Sequence, residues 1–116
     1  MNFGISDKSF TTLLDALQEA REVDEAILFG SRAMGNFRPG SDIDIAVRGK
    51  NLSVRAAADL STLLNEKLPL PYLFDIVHYD TINNADLKEH IDQVGVMIFR
   101  RPSPPTLSSN TKSGDR

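Results

Sequence analysis

Two aspartates, Asp42 and Asp44, stand at the head of an otherwise apolar run, Ile43 to Val47, and packing alone gives no reason for them. Side chains alternate along a strand, so Asp42 and Asp44 project to one face while Ile43 and Ile45 project to the other. Two like charges held side by side at the edge of an apolar strand repel each other and are costly to desolvate unless a cation lies between them. Carboxylates without Cys or His nearby suit a hard divalent ion, Mg²⁺ or Mn²⁺, better than zinc. A third carboxylate, Asp75, sits within Leu73-Phe74-Asp75-Ile76-Val77, where every neighbour is apolar. If that strand lies beside the one headed by Asp42, Asp75 can complete a metal site and take or orient the proton of an attacking hydroxyl.

Upstream, Gly30 directly follows the apolar run Ala26 to Phe29. Its missing Cβ lets the backbone come close to a bound group, and Ser31 adds a hydroxyl and a helix-start N–H. A strand, a Gly-Ser turn and a returning acidic strand together set phosphate donors opposite metal ligands, the arrangement needed for attack on the α-phosphorus of a nucleotide. Arg32 and Arg38 are further candidates for phosphate contact, since guanidinium pairs well with phosphate; the alternative for each is a solvated loop charge. Ser41 reads as a turn-shaping residue and Asp80 as a turn or capping residue. His78, on the strand face opposite Asp75, and His90, in a helix of mixed charge, read as surface or interface residues.

Two other motifs fail on their residues. Gly35 to Ser41 has the glycine spacing of a P-loop but lacks its lysine. Asp42-x-Asp44 opens an EF-hand pattern, yet Ala46 and Val47 stand where a ligand and the glycine belong, and Ser53 stands where the bidentate Glu is needed.

The elements that must hold these residues are legible from periodicity. Phe10, Leu13, Leu14, Leu17 and Ala20 have helical spacing, with Ser6 or Asp7 to cap the start. Ala26 to Phe29 and Ile43 to Val47 read as buried strands, and Ser31 to Ser41 between them as irregular beyond a first turn, given Gly35, Pro39 and Gly40. Val54, Ala57, Leu60, Leu63, Leu64 and Leu68 predict a second helix, stopped by Pro69 and Pro71. A strand over Tyr72 to Tyr79, a third helix over Asn84 to Val94 and a short strand over Val96 to Phe99 follow. Helices alternating with strands predict an α/β layer structure.

Bulk properties bound what this can be. The chain has 116 residues, 41% hydrophobic and 25% charged, so one packed domain is expected, over residues 1–101. Residues 102–116 are mostly Ser, Pro, Thr, Asn and Gly with almost no apolar content, which predicts a disordered tail. No cysteine is present, which excludes disulfides and thiolate metal sites and favours a cytoplasmic location. Neither an export signal nor an apolar run of membrane-spanning length is visible. A formal charge of −3 argues against a broadly basic nucleic-acid-binding face.

Gly-Ser, ten residues, then Asp-x-Asp, with a later strand Asp, resembles the polymerase-β-like nucleotidyltransferase superfamily, and the length resembles its minimal nucleotidyltransferases. The stretches Leu28-Phe29-Gly30-Ser31-Arg32-Ala33 and Ser41-Asp42-Ile43-Asp44-Ile45-Ala46-Val47 carry the resemblance, which spans roughly Phe10 to Arg100. It implies a small mixed β-sheet with helices packed on it. It further implies that Asp42 and Asp44 bind two Mg²⁺ ions, that Asp75 joins the catalytic metal, that Gly30 and Ser31, with Arg32 beside them, hold the triphosphate of ATP, and that pyrophosphate leaves. Many such proteins are encoded beside a HEPN-domain partner, so the resemblance also implies an antitoxin that inactivates an RNase toxin by adenylylating a tyrosine.

So small a scaffold supplies a sheet, its helices and the cleft but no separate acceptor domain, so the acceptor surface is expected from another copy or another protein, with Phe37 and Leu70 to Leu73 as candidate contacts. Two other readings stay open on the sequence: transfer to a small hydroxyl compound such as an aminoglycoside, and an antitoxin that masks its partner by binding alone.

Overall fold

The computed structural model describes residues 2–102; the expected tail, beyond Pro102, lies outside the described residues. Helix α1, Asp7–Glu19, starts where Ser6 accepts a hydrogen bond from the Ser9 N–H, and it buries Leu13, Ala16 and Leu17. Strand β1, Glu25–Phe29, runs straight into the short helix α2, Gly30–Met34, which Gly35 ends in the left-handed conformation. Strand β2 spans Ile43–Arg48, helix α3 spans Val54–Thr62, β3 spans Phe74–His78, helix α4 spans Ala85–Val94 and β4 spans Val96–Arg100.

The strands form one mixed sheet in the order β3-β2-β1-β4. β1 is antiparallel to both β2 and β4, whereas β2 and β3 run parallel because α3 carries the chain back across the sheet. Alternation then divides the side chains cleanly. Ile43, Ile45, Val47, Leu28 and Phe74 enter a large core with Leu13 and Leu17 of α1 and Leu60 of α3. Ile27, Phe29, Ala46 and Val77 face the other way, under Leu87, Ile91 and Val94 of α4. By the same alternation Asp42, Asp44 and Asp75 belong to the α4 face.

The expected elements form with two local differences. The helix predicted over Val54 to Leu68 widens after Thr62 into a π-turn, Leu63–Lys67, closed by the bond from the Leu68 N–H to the Leu63 carbonyl at 3.1 Å. This inserted turn carries the Asn65 amide to the start of β3, where it accepts from the Phe74 N–H at 2.7 Å and donates to the Phe74 carbonyl at 3.0 Å. The strand predicted over Tyr72 to Tyr79 is shorter, Phe74–His78: Tyr79 to Thr81 turn as a 3₁₀ segment, and Tyr72 lies before the strand with its hydroxyl accepting from the Ser6 N–H.

Beyond β4, Arg101 closes the fold. Its guanidinium donates to the carbonyls of Leu17, Gln18 and Ala20 at the end of α1 and to that of Val23. The Leu17 and Gln18 carbonyls have no partner within α1, so the cation satisfies them and sits at the negative end of the helix. Among the described residues no helix is long and apolar enough to cross a membrane.

Candidate nucleotide-transfer site

Register brings the sequence-predicted acids together. Asp44 pairs with Asp75 across the parallel β2/β3 ladder and with Phe29, the residue before the Gly-Ser turn, across β1/β2. Asp42 lies just before β2, where the Ile43 N–H is tied to the Leu73 carbonyl at 2.8 Å. The carboxylates therefore come from the same end of two neighbouring strands, and the turn faces them from a third.

Gly30 makes this approach possible. Its φ of +75° lies in the left-handed region, and a Cβ there would run into the Asp44 carboxylate. Any other residue would push the Gly-Ser turn away from the Asp44 carboxylate. Ser31, half-buried, follows on α2.

The electrostatics is that of a site short of positive charge. Burial is the largest influence pushing the Asp44 carboxyl above its ordinary pKa; repulsion from Asp75 and then from Asp42 adds to it, while nearby His90, where it carries a proton, and Arg32 work the other way. Among the described residues no three His, Asp or Glu side chains stand close enough to hold an ion as they are. The residues nevertheless fit Mg²⁺: the donors are all carboxylate oxygens, the strands direct them to one face, and the neighbouring turn leaves room that a side chain would fill.

Arg32 departs from its expected role. It is 3% exposed, and its guanidinium donates through Nε and Nη2 to the Ser41 carbonyl, at 3.1 and 2.7 Å, and through Nη1 to the Phe3 carbonyl at 2.9 Å. Its cationic carbon also lies 5.1 Å from the Phe37 ring centroid and 5.4 Å from that of Tyr72. Instead of reaching outward, the side chain ties the Gly-Ser turn to the residue preceding Asp42. Phe37 is correspondingly spent against Arg32, whereas Leu73 is 66% exposed. A hollow of about 450 Å³, lined by Ser41, Asn65, Leu70, Tyr72 and Leu73 among others, opens at the start of β3.

The sequence reading missed two residues. Asn65 fixes the start of the strand that carries Asp75, by a contact that depends on the π-turn and leaves no pattern in the sequence. His90 reaches the turn itself: its Nε2 accepts from the Gly30 N–H at 3.3 Å, and its ring meets Phe29 edge-on. A signal for it was present, since Leu87, His90, Ile91 and Val94 form one stripe at helical spacing. His78 instead faces away from the acids, with Nε2 2.8 Å from the Leu52 carbonyl.

A mixed sheet with a Gly-Ser turn set against paired strand carboxylates defines the class. The family model for polymerase beta nucleotidyltransferases matches residues 11–103, and the chain belongs to that family of nucleotide-transferring enzymes. Among solved structures, it is similar to a toxin–antitoxin solved with AMP-PNP, at 23% identity over 79% of this chain and 73% of that one, with a TM-score of 0.65. A mutant of the toxin–antitoxin MntA–HpeT is similar at 20% identity over the same shares, with a TM-score of 0.63. At these identities the likeness is one of fold. No curated protein matches the chain.

Proposed function

We propose that this protein transfers AMP from ATP to a hydroxyl of a partner protein in a Mg²⁺-dependent reaction and thereby acts as the antitoxin of a toxin–antitoxin pair. The observation that carries the reading is the meeting of Asp42, Asp44 and Asp75 on one sheet face against the side-chain-free turn at Gly30. Asp42 and Asp44 would hold two Mg²⁺ ions, with Asp75 sharing the catalytic one. When bound, the metal supplies neutralising charge and Lewis acidity at the α-phosphate. The chain's own residues do the rest. The Gly30 turn and the Ser31 hydroxyl orient the triphosphate, and Asp75 receives the proton of the acceptor hydroxyl as its oxygen bonds to the α-phosphorus. The bond from that phosphorus to the bridging oxygen breaks, and pyrophosphate departs.

The fold shared with a toxin–antitoxin solved with AMP-PNP supports both the nucleotide and the partner. A HEPN-domain RNase with an acceptor tyrosine is the partner the sequence resemblance implies. The hollow at the start of β3, lined by Ser41 and by exposed Leu73, is where an acceptor segment would lie.

The test is labelling of a co-expressed partner with ATP radiolabelled at the α-phosphate, with and without Mg²⁺. We expect label on the partner with the wild-type chain and none with the folded Asp42→Asn, Asp44→Asn double variant. Label that persists in the double variant refutes the site. A double variant that transfers nothing yet still neutralises the partner in full means that binding, not chemistry, makes the antitoxin. Pyrophosphate release stimulated by small hydroxyl compounds and not by the partner moves the acceptor to that class.

A further inference from the structure

The phosphate turn is held from two sides. On one, Arg32 anchors α2 to the Ser41 carbonyl. On the other, the turn's leading N–H donates to His90, from a helix on the acid-bearing face. Gly30 is the first residue of α2, so its N–H has no carbonyl four residues behind it within a helix and takes its partner from elsewhere. The acceptor it finds is a ring nitrogen, which fixes the tautomer: Nε2 is unprotonated and the ring proton is on Nδ1.

His90 is itself held. Its ring lies edge-on to Phe29 with centroids 6.0 Å apart, and the neighbouring Ile91 is buried at 1% exposure under the sheet. Helix α4 thus reaches the turn through one side chain whose direction is set by the packing beneath it.

We propose that His90 is a positioning residue of the nucleotide site, holding the Gly30 turn in the orientation in which the Gly-Ser segment receives the triphosphate. The proposal rests on the function proposed above. His90 acts through Gly30 and does not touch the reacting atoms. Without it the glycine, the residue with the greatest backbone freedom, is tethered from the Arg32 side only, and the cost of ordering the turn falls on nucleotide binding.

The experiment compares wild type, His90→Ala and His90→Gln as full-length chains. Binding of AMP-PNP is measured by calorimetry, and KM for ATP and kcat are measured by partner labelling. We expect His90→Ala to raise both the Kd for AMP-PNP and the KM for ATP about tenfold, equivalent to ~1.4 kcal/mol, with kcat within about twofold, since one hydrogen bond is at stake. His90→Gln, whose amide oxygen can accept from the same N–H, should recover most of the loss. In the ¹⁵N spectrum of the free wild-type chain, His90 should carry its proton on Nδ1, and the Gly30 amide should move in His90→Ala.

An unchanged or lowered Kd in His90→Ala overturns the proposal, the lowered value meaning that the imidazole competes with phosphate for the N–H. Equal losses in His90→Gln and His90→Ala also overturn it, because the accepting atom would then be irrelevant. If the wild-type chain itself binds no AMP-PNP, the nucleotide-transfer reading fails and this proposal fails with it. Wild-type binding with an unaltered variant sinks only the role of His90.

Discussion

The two faces of the sheet are built from the same strands and have opposite physical characters. Toward α1 and α3, β2 presents Ile43, Ile45 and Val47, each wholly buried in the large core. Toward α4, the same strand and the residue before it present Asp42, Asp44 and Ala46, and only Ala46 lies under the helix. One helix does not cover a four-stranded face, so the acid-bearing end is left uncovered by it. The lesson is a division of labour at single-residue spacing: one face supplies stability, and the other holds a charge arrangement that costs stability. Each prediction below can break that division.

The largest effect is expected on the acid face. Asp44→Asn should lower kcat/KM for transfer by roughly a thousandfold or more, about 4 kcal/mol of transition-state stabilisation, because it removes a metal-binding charge without altering shape. Labelling assays with ATP and partner provide the measurement. A loss below about tenfold would mean that the acids are no more than a solvated strand end.

One residue further along, Ile45→Ala should act in reverse. Ile45 is 0% exposed and lies between β1 and β3 in the large core, so truncation should cost ~2–5 kcal/mol in denaturant unfolding. Whatever fraction remains folded should keep its affinity for AMP-PNP. If affinity falls in the folded fraction, the two faces are coupled and the division fails.

Arg32 lies at the seam. Its three bonds to carbonyls and its two aromatic neighbours make it a structural cation, so Arg32→Lys should destabilise the fold by about 2 kcal/mol, since an ammonium cannot reproduce the fork. It should also lower kcat through displacement of Asp42. A variant of unchanged stability whose only defect is weaker AMP-PNP binding would return Arg32 to direct phosphate contact.

Most of this was legible in the sequence, for reasons that differ between residues. The acids stood out because alternation made them anomalous in apolar strands, and Gly30 because it ends a strand directly before a serine. Periodicity revealed the helices, since α1, α3 and α4 each bury one stripe. What stayed hidden were contacts that join residues distant in sequence through unpatterned geometry. Asn65 reaches Phe74 only because the helix widens at Leu63. The Arg32 guanidinium turns inward because the carbonyls of Phe3 and Ser41 converge on it. An arginine beside a phosphate motif looks the same in sequence whether it points out or in. His90 shared a stripe with core residues, but nothing local specified that its ring would meet a backbone N–H across 60 positions.

The smallest predicted effect is the most direct test of the claim that the site costs stability. The Asp44 carboxyl has its pKa raised in the folded chain, first by burial and then by Asp75 and Asp42. A raised pKa means that the folded state binds the proton more tightly than the unfolded state. Lowering the pH through the folded pKa toward the unfolded value therefore adds stability from this group, and above the folded pKa its ionised form weighs against folding. Asp44→Asn removes that cost at neutral pH, so its Tm at pH 7 should exceed that of the wild type by about 2–4 °C, and the gap should narrow as the pH is lowered through the folded pKa. Mg²⁺ with AMP-PNP should stabilise the wild type by mass action and leave Asp44→Asn nearly unmoved. The same substitution would then raise stability and abolish transfer. A lower Tm for Asp44→Asn at pH 7 would mean that the carboxylate is held by favourable bonds, and the acid face would have to be read as part of the scaffold.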